Sequence, residues 1–181
     1  MSETILLTQY QLEPDDKVTP VMAYLSNAIA WGDVIVKEAI RVSTWLRTNN
    51  APDALCLRNA RYLNSTGNQM HKPLFFNELY IAASQIMGFH IVPPANDPVD
   101  YDPTEGFRKM EPMTAIIGTS RFDGFMRMAT MSCLNKYIEI THESFTSVYD
   151  ATVSNISIPD LKPFKVPLII VRQENTIFAS R

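Results

Sequence analysis

Thr141-His142-Glu143-Ser144-Phe145-Thr146 opens like the helix of a zinc protease, in which two imidazoles one turn apart hold the metal. The second imidazole belongs at position 146, where this chain has threonine. His71, His90 and His142 are scattered and Cys56 and Cys133 lie far apart, so no tetrahedral nitrogen and sulfur set has a recognisable spacing. No metal and no cofactor is therefore expected. Nucleophilic catalysis needs a serine or cysteine beside a base, and Cys133 with His142 is the one pair worth naming. A buried thiol and a surface imidazole are the expected reading of those two residues. The six glycines form no loop that could cradle phosphate. Asn64-Ser65-Thr66 and Asn155-Ile156-Ser157 match the glycosylation sequon, but a shared Asn turn explains both. With no catalytic residue to name, the chain is expected not to be an enzyme.

The remaining candidates suit contact rather than chemistry. Arg41, Arg47, Arg58 and Arg61 form a modest basic cluster, which Asp33, Asp53 and Glu78 could balance on a solvated β face. A nucleic-acid surface would interleave such cations with aromatic platforms, and only Trp45 and Tyr62 are near in sequence. Trp45 and Tyr137 each sit on a short turn as core or interface anchors, so Trp45, Tyr137, Arg58 and Arg61 are the candidate interaction residues. Phe125-Met-Arg-Met-Ala-Thr-Met131 would offer an adaptable apolar surface if it were not packed inside.

Composition narrows the setting. Apolar content of 46% with 19% charge is that of an ordinary folded protein. A net charge of -3 supplies no overall attraction for nucleic acid or an anionic membrane. The acidic excess lies outside the two main segments: residues 19–91 carry six basic against four acidic side chains, and residues 111–181 carry seven of each. No apolar run reaches the ~18 residues of a membrane span. The N-terminus lacks the basic start and apolar stretch of a signal peptide, and the two cysteines suggest no disulfide framework, so a reducing cytoplasm is the expectation.

The elements that must position these residues recur. Pro20, Ala23 and Gly32 return as Pro112, Ala115 and Gly124 at a spacing of 92, and Ala60, Asn64 and Ile86 return as Ala151, Asn155 and Ile177 at 91. Val42 to Leu46 overlays Leu134 to Ile138, and Leu79-Tyr80 overlays Ile170-Val171. Each unit reads as a strand, a glycine-interrupted strand, a short turn, a strand and a closing apolar pair. Gly32 and Gly124 mark bulges or bends, and Ser43 could cap the turn carrying Trp45. The expectation is an all-β protein of two tandem, related small barrels or curved sheets packed with pseudo-twofold symmetry. Residues 1–18 form an N-terminal arm, 19–92 the first unit, 93–110 a Pro-rich acidic connector and 111–181 the second unit. Units this small bury little alone, so they should pack on each other or self-associate.

The outline around Gly32, Ser43-Thr-Trp45-Leu46 and Ile170-Val-Arg-Gln-Glu-Asn-Thr-Ile177 resembles a family of small bacterial β-domains of unknown function. More remotely it is similar to the Sm-like five-stranded barrel, whose members often form rings and bind RNA. That resemblance implies a barrel topology. RNA binding does not carry over, because Ser43 and Asn135 stand at the turns and the chain has no Arg-Gly pair. Three functions follow as expectations: a self-associating interaction module, an Sm-like nucleic-acid binder, or a small-molecule regulatory domain with a site between the units near Tyr24, Trp31 or Tyr149.

Overall fold

Alternation of apolar and polar residues sets the strands. In Ser120–Ala129 the inward positions are Ser120, Phe122, Gly124, Met126 and Met128, and Arg121, Asp123, Phe125 and Arg127 lie between them. A computed structural model describes residues 12–48, 51–65, 72–141, 143–158 and 161–181. Its strands are β1 (Asp16–Tyr24), β2 (Ala28–Lys37), β3 (Ala54–Asn64), β4 (Leu74–Ala82), β5 (Gly88–Ile91), β6 (Arg108–Ile117), β7 (Ser120–Ala129), β8 (Phe145–Asn155), β9 (Phe164–Arg172) and β10 (Ile177–Ser180). One short helix, α1 (Leu134–Ile140), and 3-10 turns at Val42–Arg47, Ala83–Gln85 and Gln173–Asn175 complete the described elements. The fold is all-β. No described helix is long and apolar enough to cross a membrane.

All ten strands belong to one antiparallel sheet in the order β10-β6-β7-β8-β9-β5-β1-β2-β3-β4. Strands one to five and six to ten run in the same internal order, and their ladders keep the same register. Val21 opposite Gly32 is matched by Met113 opposite Gly124. Leu57 opposite Leu79 is matched by Val148 opposite Ile169, and Ala23 opposite Phe89 by Ala115 opposite Phe178. Following the ladders, the offset between matched residues is 92 in β1 and β2, then 91, 90 and 89 in β3, β4 and β5. The overlay read from sequence therefore slips late in each unit. Leu79 corresponds to Ile169 rather than Ile170, and Ile177 corresponds to Gly88 rather than Ile86. Each later connection in the second half is one residue shorter.

The glycines mark bulges, as expected. Register shifts fall between Trp31 and Asp33 and between Asp123 and Phe125, skipping Gly32 and Gly124. A Cβ on Gly32 would lie 2.6 Å from the carbonyl oxygen of Arg58, and one on Gly124 2.6 Å from that of Tyr149. The residues after those carbonyls, Asn59 and Asp150, both have a φ of 48°. Only a side chain of hydrogen lets the strands approach this closely.

Two cores form, one for each half, and each borrows from the other. Phe145 and Ile170 pack in the first, whereas Tyr24, Ile29 and Leu63 pack in the second. The expected pseudo-twofold is not what the strand order displays. A twofold at a single seam would bring like strands together, but here the fourth strand of one half meets the fifth of the other. The halves follow head to tail.

Several boundaries also move. β1 takes in residues 16–18 of the expected arm, and β6 takes in 108–110 of the expected connector; residues 1–11 of the arm lie outside the described residues. Ser43 is not a cap. Its N–H instead donates to the Asp97 carboxylate at 2.8 Å, so the connector caps the 3-10 turn from a distance.

Candidate interaction edges

At the seam, β5 and β9 share a short antiparallel ladder, with Gly88 opposite Val171 and Phe89 opposite Ile170. The Arg172 N–H donates to the Met87 carbonyl at 2.6 Å. The Arg172 guanidinium donates to the carbonyls of Ala83 at 2.7 Å and Ile86 at 3.0 Å, and it lies 4.5 Å from the Phe145 ring centre. One cation thus satisfies carbonyls at the 3-10 turn of the first half while stacking on a ring of the second. Across the seam, Arg47 donates to Ser147 at 2.6 Å and pairs with Asp100 at 3.3 Å and Glu143 at 3.2 Å. Asp100, from the connector, also accepts from the Tyr149 hydroxyl at 2.8 Å. Burial and that carboxylate push the Tyr149 phenol up, beyond the usual range.

His90 lies at the centre of this junction and is fully buried. Its Nδ1 is 2.8 Å from the Ile91 carbonyl, which can only accept, so Nδ1 carries the proton and Nε2 accepts from the Tyr24 hydroxyl at 3.1 Å. Desolvation pulls the imidazole down to about 4 and pushes the Tyr24 phenol up. Tyr24 stands edge-on to Phe122 with ring centres 4.9 Å apart. Both groups are packed and neutral, a structural role rather than an acid–base one.

The two ends of the sheet differ from the seam. β4 pairs with β3 alone and β10 with β6 alone among the described residues. β4 carries Leu74, Phe75, Phe76 and Tyr80, all exposed, with Phe75 and Tyr80 at 64%. On β10, Ile177 is 67% exposed. Unpaired strand edges with apolar side chains are templates for pairing.

The four candidate interaction residues are not brought together in one patch. Trp45 lies in the first 3-10 turn and packs against the first core, and Tyr137 lies in α1 and packs against the second. Arg58 is ion-paired with Glu78 across β3 and β4. Arg61 is exposed, with its guanidinium 5.4 Å from the Phe75 ring centre. Met126 and Met128 belong to the second core, leaving Met131 outside. Cys56 is half-buried on β3 and Cys133 is exposed; His71 and His142 lie outside the described residues. Tyr24 and Tyr149 are buried and Trp31 packs against the second core, so these rings fill the junction instead of lining an open cleft.

Among the described residues, Glu13, Asp15 and Asp16 are the one acidic group close enough to hold a cation. The Lys37 ammonium already sits among them, bonded to Glu13 and 2.9 Å and 3.0 Å from Asp15 and Asp16. These partners raise the Lys37 pKa, and a bond from the Glu13 backbone, then Lys37, lowers that of Asp16. The ammonium occupies the space between the carboxylates and offsets part of their charge within the fold.

Sequence reasoning missed Arg172, Asp100, Ile170 and the β4 edge. Comparison with family models, with curated proteins and with solved structures returned no significant match.

Proposed function

We propose that this chain is a non-enzymatic assembly module, arisen by tandem duplication of a five-stranded unit, that joins to further protein through the free strands at the two ends of its sheet. The observation that carries this reading is β4, an edge strand with four exposed large apolar side chains. Edge strands of monomers are ordinarily short, charged or covered, whereas β4 runs nine residues with Glu78 as its one charge, and among the described residues no strand pairs with its outer side. The matched ladders support the duplication, because independent five-stranded arrangements have no reason to share registers and glycine bulges. A self-associating module needs no catalytic group, which accords with the packed roles of His90 and Tyr24.

The test is solution mass by light scattering across a concentration series. Mass should rise above that of the 20.5 kDa chain as concentration increases. A constant monomer mass would remove self-association from the reading.

The Sm-like nucleic-acid reading has one observation in its favour, the Arg61 guanidinium beside the exposed Phe75 ring, a cation next to a stacking platform. It predicts single-strand binding that weakens steeply with salt and is lost in Arg61→Ala. No binding at low salt would end it.

A further inference from the structure

We infer that each outer edge pairs with the opposite edge of a second copy of this chain, β10 adding antiparallel to β4 in the register that β5 and β9 use within the chain. This rests on the assembly reading above and names its partner and pairing.

The ladders identify the strands. By register, β4 corresponds to β9 and β10 to β5, so the two free strands are the counterparts of the two that meet at the seam. Carrying Gly88 opposite Val171 and Phe89 opposite Ile170 to the outside places Ile177 opposite Ile81, and Phe178 opposite Tyr80, of the next copy.

The side chains agree with that transfer. Ile170 belongs to β9 yet lies in the core of the other half, fully buried. Its counterpart Tyr80 is large, largely apolar and 64% exposed. Phe89, buried in the first core, has Phe178 as its counterpart on β10. An aromatic is thus present on each edge where the internal seam has a buried apolar partner.

The join also repeats. It uses unlike strands, so each added copy presents the same two free edges again. Such heterologous pairing closes into a ring where the rotation per copy divides a full turn, and otherwise continues as a filament. Pairing of β4 with β4 has no template within the molecule.

The outer pairing lacks two supports of the inner one. Arg172, which clamps the seam, corresponds to Ala82. Tyr24, Ile29 and Leu63, lent by the first half to the second core, correspond to Ile116, Arg121 and Ser154. Association is therefore reversible and concentration-dependent.

The test uses the full chain with Cys56→Ser and Cys133→Ser as background, carrying either Tyr80→Cys or Phe178→Cys. Residues directly opposite in an antiparallel pair fall within disulfide reach. Under mild oxidation, a mixture of the two chains should give a disulfide-linked dimer at least about tenfold more abundant than either chain alone. Equal cross-linking of the Tyr80→Cys chain by itself would replace this pairing with a symmetric one. Absence of the mixed dimer, with mass still rising in light scattering, would overturn the register and leave the assembly reading intact. A monomer mass at every concentration would overturn both. Because Phe178 touches the second core, a second variant guards against misfolding. Ala82→Arg on the exposed edge restores the missing clamp toward the Gln173 and Thr176 carbonyls of the neighbour, and should tighten association by at least about tenfold, the scale of one charge-assisted hydrogen bond. Unchanged or weakened association would contradict the inferred register.

Discussion

β9 and β4 hold corresponding places in the two halves and live in opposite surroundings. β9 is covered on both sides, by β8 and by β5, and its Val166, Ile169, Ile170 and Val171 are buried. Among the described residues β4 has β3 on one side alone, and Phe76, Leu79, Tyr80 and Ile81 stand at those four positions. The buried strand uses β-branched aliphatics. The edge strand keeps apolar side chains but makes them larger and aromatic, and adds Glu78 where β9 has Leu168. An edge that serves only to be solvated loses its apolar residues; this one retains them. The difference teaches that coverage, rather than strand identity, separates the two, and that β4 keeps an apolar composition at an exposed edge.

Substitution at the matched pair should break the comparison most visibly. Ile170→Ala empties a fully buried site and is expected to cost about 3–4 kcal/mol of unfolding free energy in urea titration. Tyr80→Ala, at the counterpart, should change monomer stability by less than about 0.5 kcal/mol. Similar losses at both positions would mean that Tyr80 is already covered within the chain.

The glycine bulges sharpen the claim that the halves share one plan. A Cβ at Gly124 meets the Tyr149 carbonyl at 2.6 Å, Val148 Cγ1 at 2.9 Å and the Ala151 Cα at 3.1 Å. Backbone cannot yield as a side-chain tip can, so Gly124→Ala should cost about 3 kcal/mol. Gly32→Ala meets the Arg58 carbonyl at the same 2.6 Å and should cost nearly as much. A neutral result at either site would show that the bulge there is dispensable.

Acid should separate the seam from the edges by a smaller margin. His90 is held neutral by burial, with its folded pKa lowered from 6.5 to about 4. The unfolded chain therefore binds a proton that the folded chain refuses between these values. Its stability is intact above pH 6.5 and falls as pH drops toward 4, by about 2 kcal/mol between pH 7.5 and 5. The counterpart on β10 is Ala179, which does not titrate. Urea titrations at the two pH values on wild type and His90→Leu should give the slope in wild type alone.

Much of the fold was legible from sequence because alternation and glycine placement are local signals. The bulges at Gly32 and Gly124, the turns carrying Trp45 and Tyr137, and the 92-residue offset of the first strands all read directly. The late slip in register did not, because deletions in the connections leave no mark on an apolar overlay of Leu79-Tyr80 with Ile170-Val171. The seam was hidden for a different reason. Arg172 acts on carbonyls, which carry no sequence signal, and Asp97 and Asp100 sit in an acidic Pro-rich stretch that resembles a solvated linker. Of the candidate residues, Trp45 and Tyr137 were recognisable as anchors, but their packing against the two cores depends on tertiary structure that spacing does not encode. The β4 edge escaped because Leu74, Phe75 and Phe76 look like core residues until the strand order leaves them at the end of the sheet.

The most direct measurement of the central claim is amide hydrogen exchange on β4, β9 and β10 at low and high protein concentration. If the outer edges repeat the seam, protection along β4 and β10 rises with concentration while that of β9 stays constant. Exchange on β4 and β10 that is fast and identical at every concentration would contradict the account.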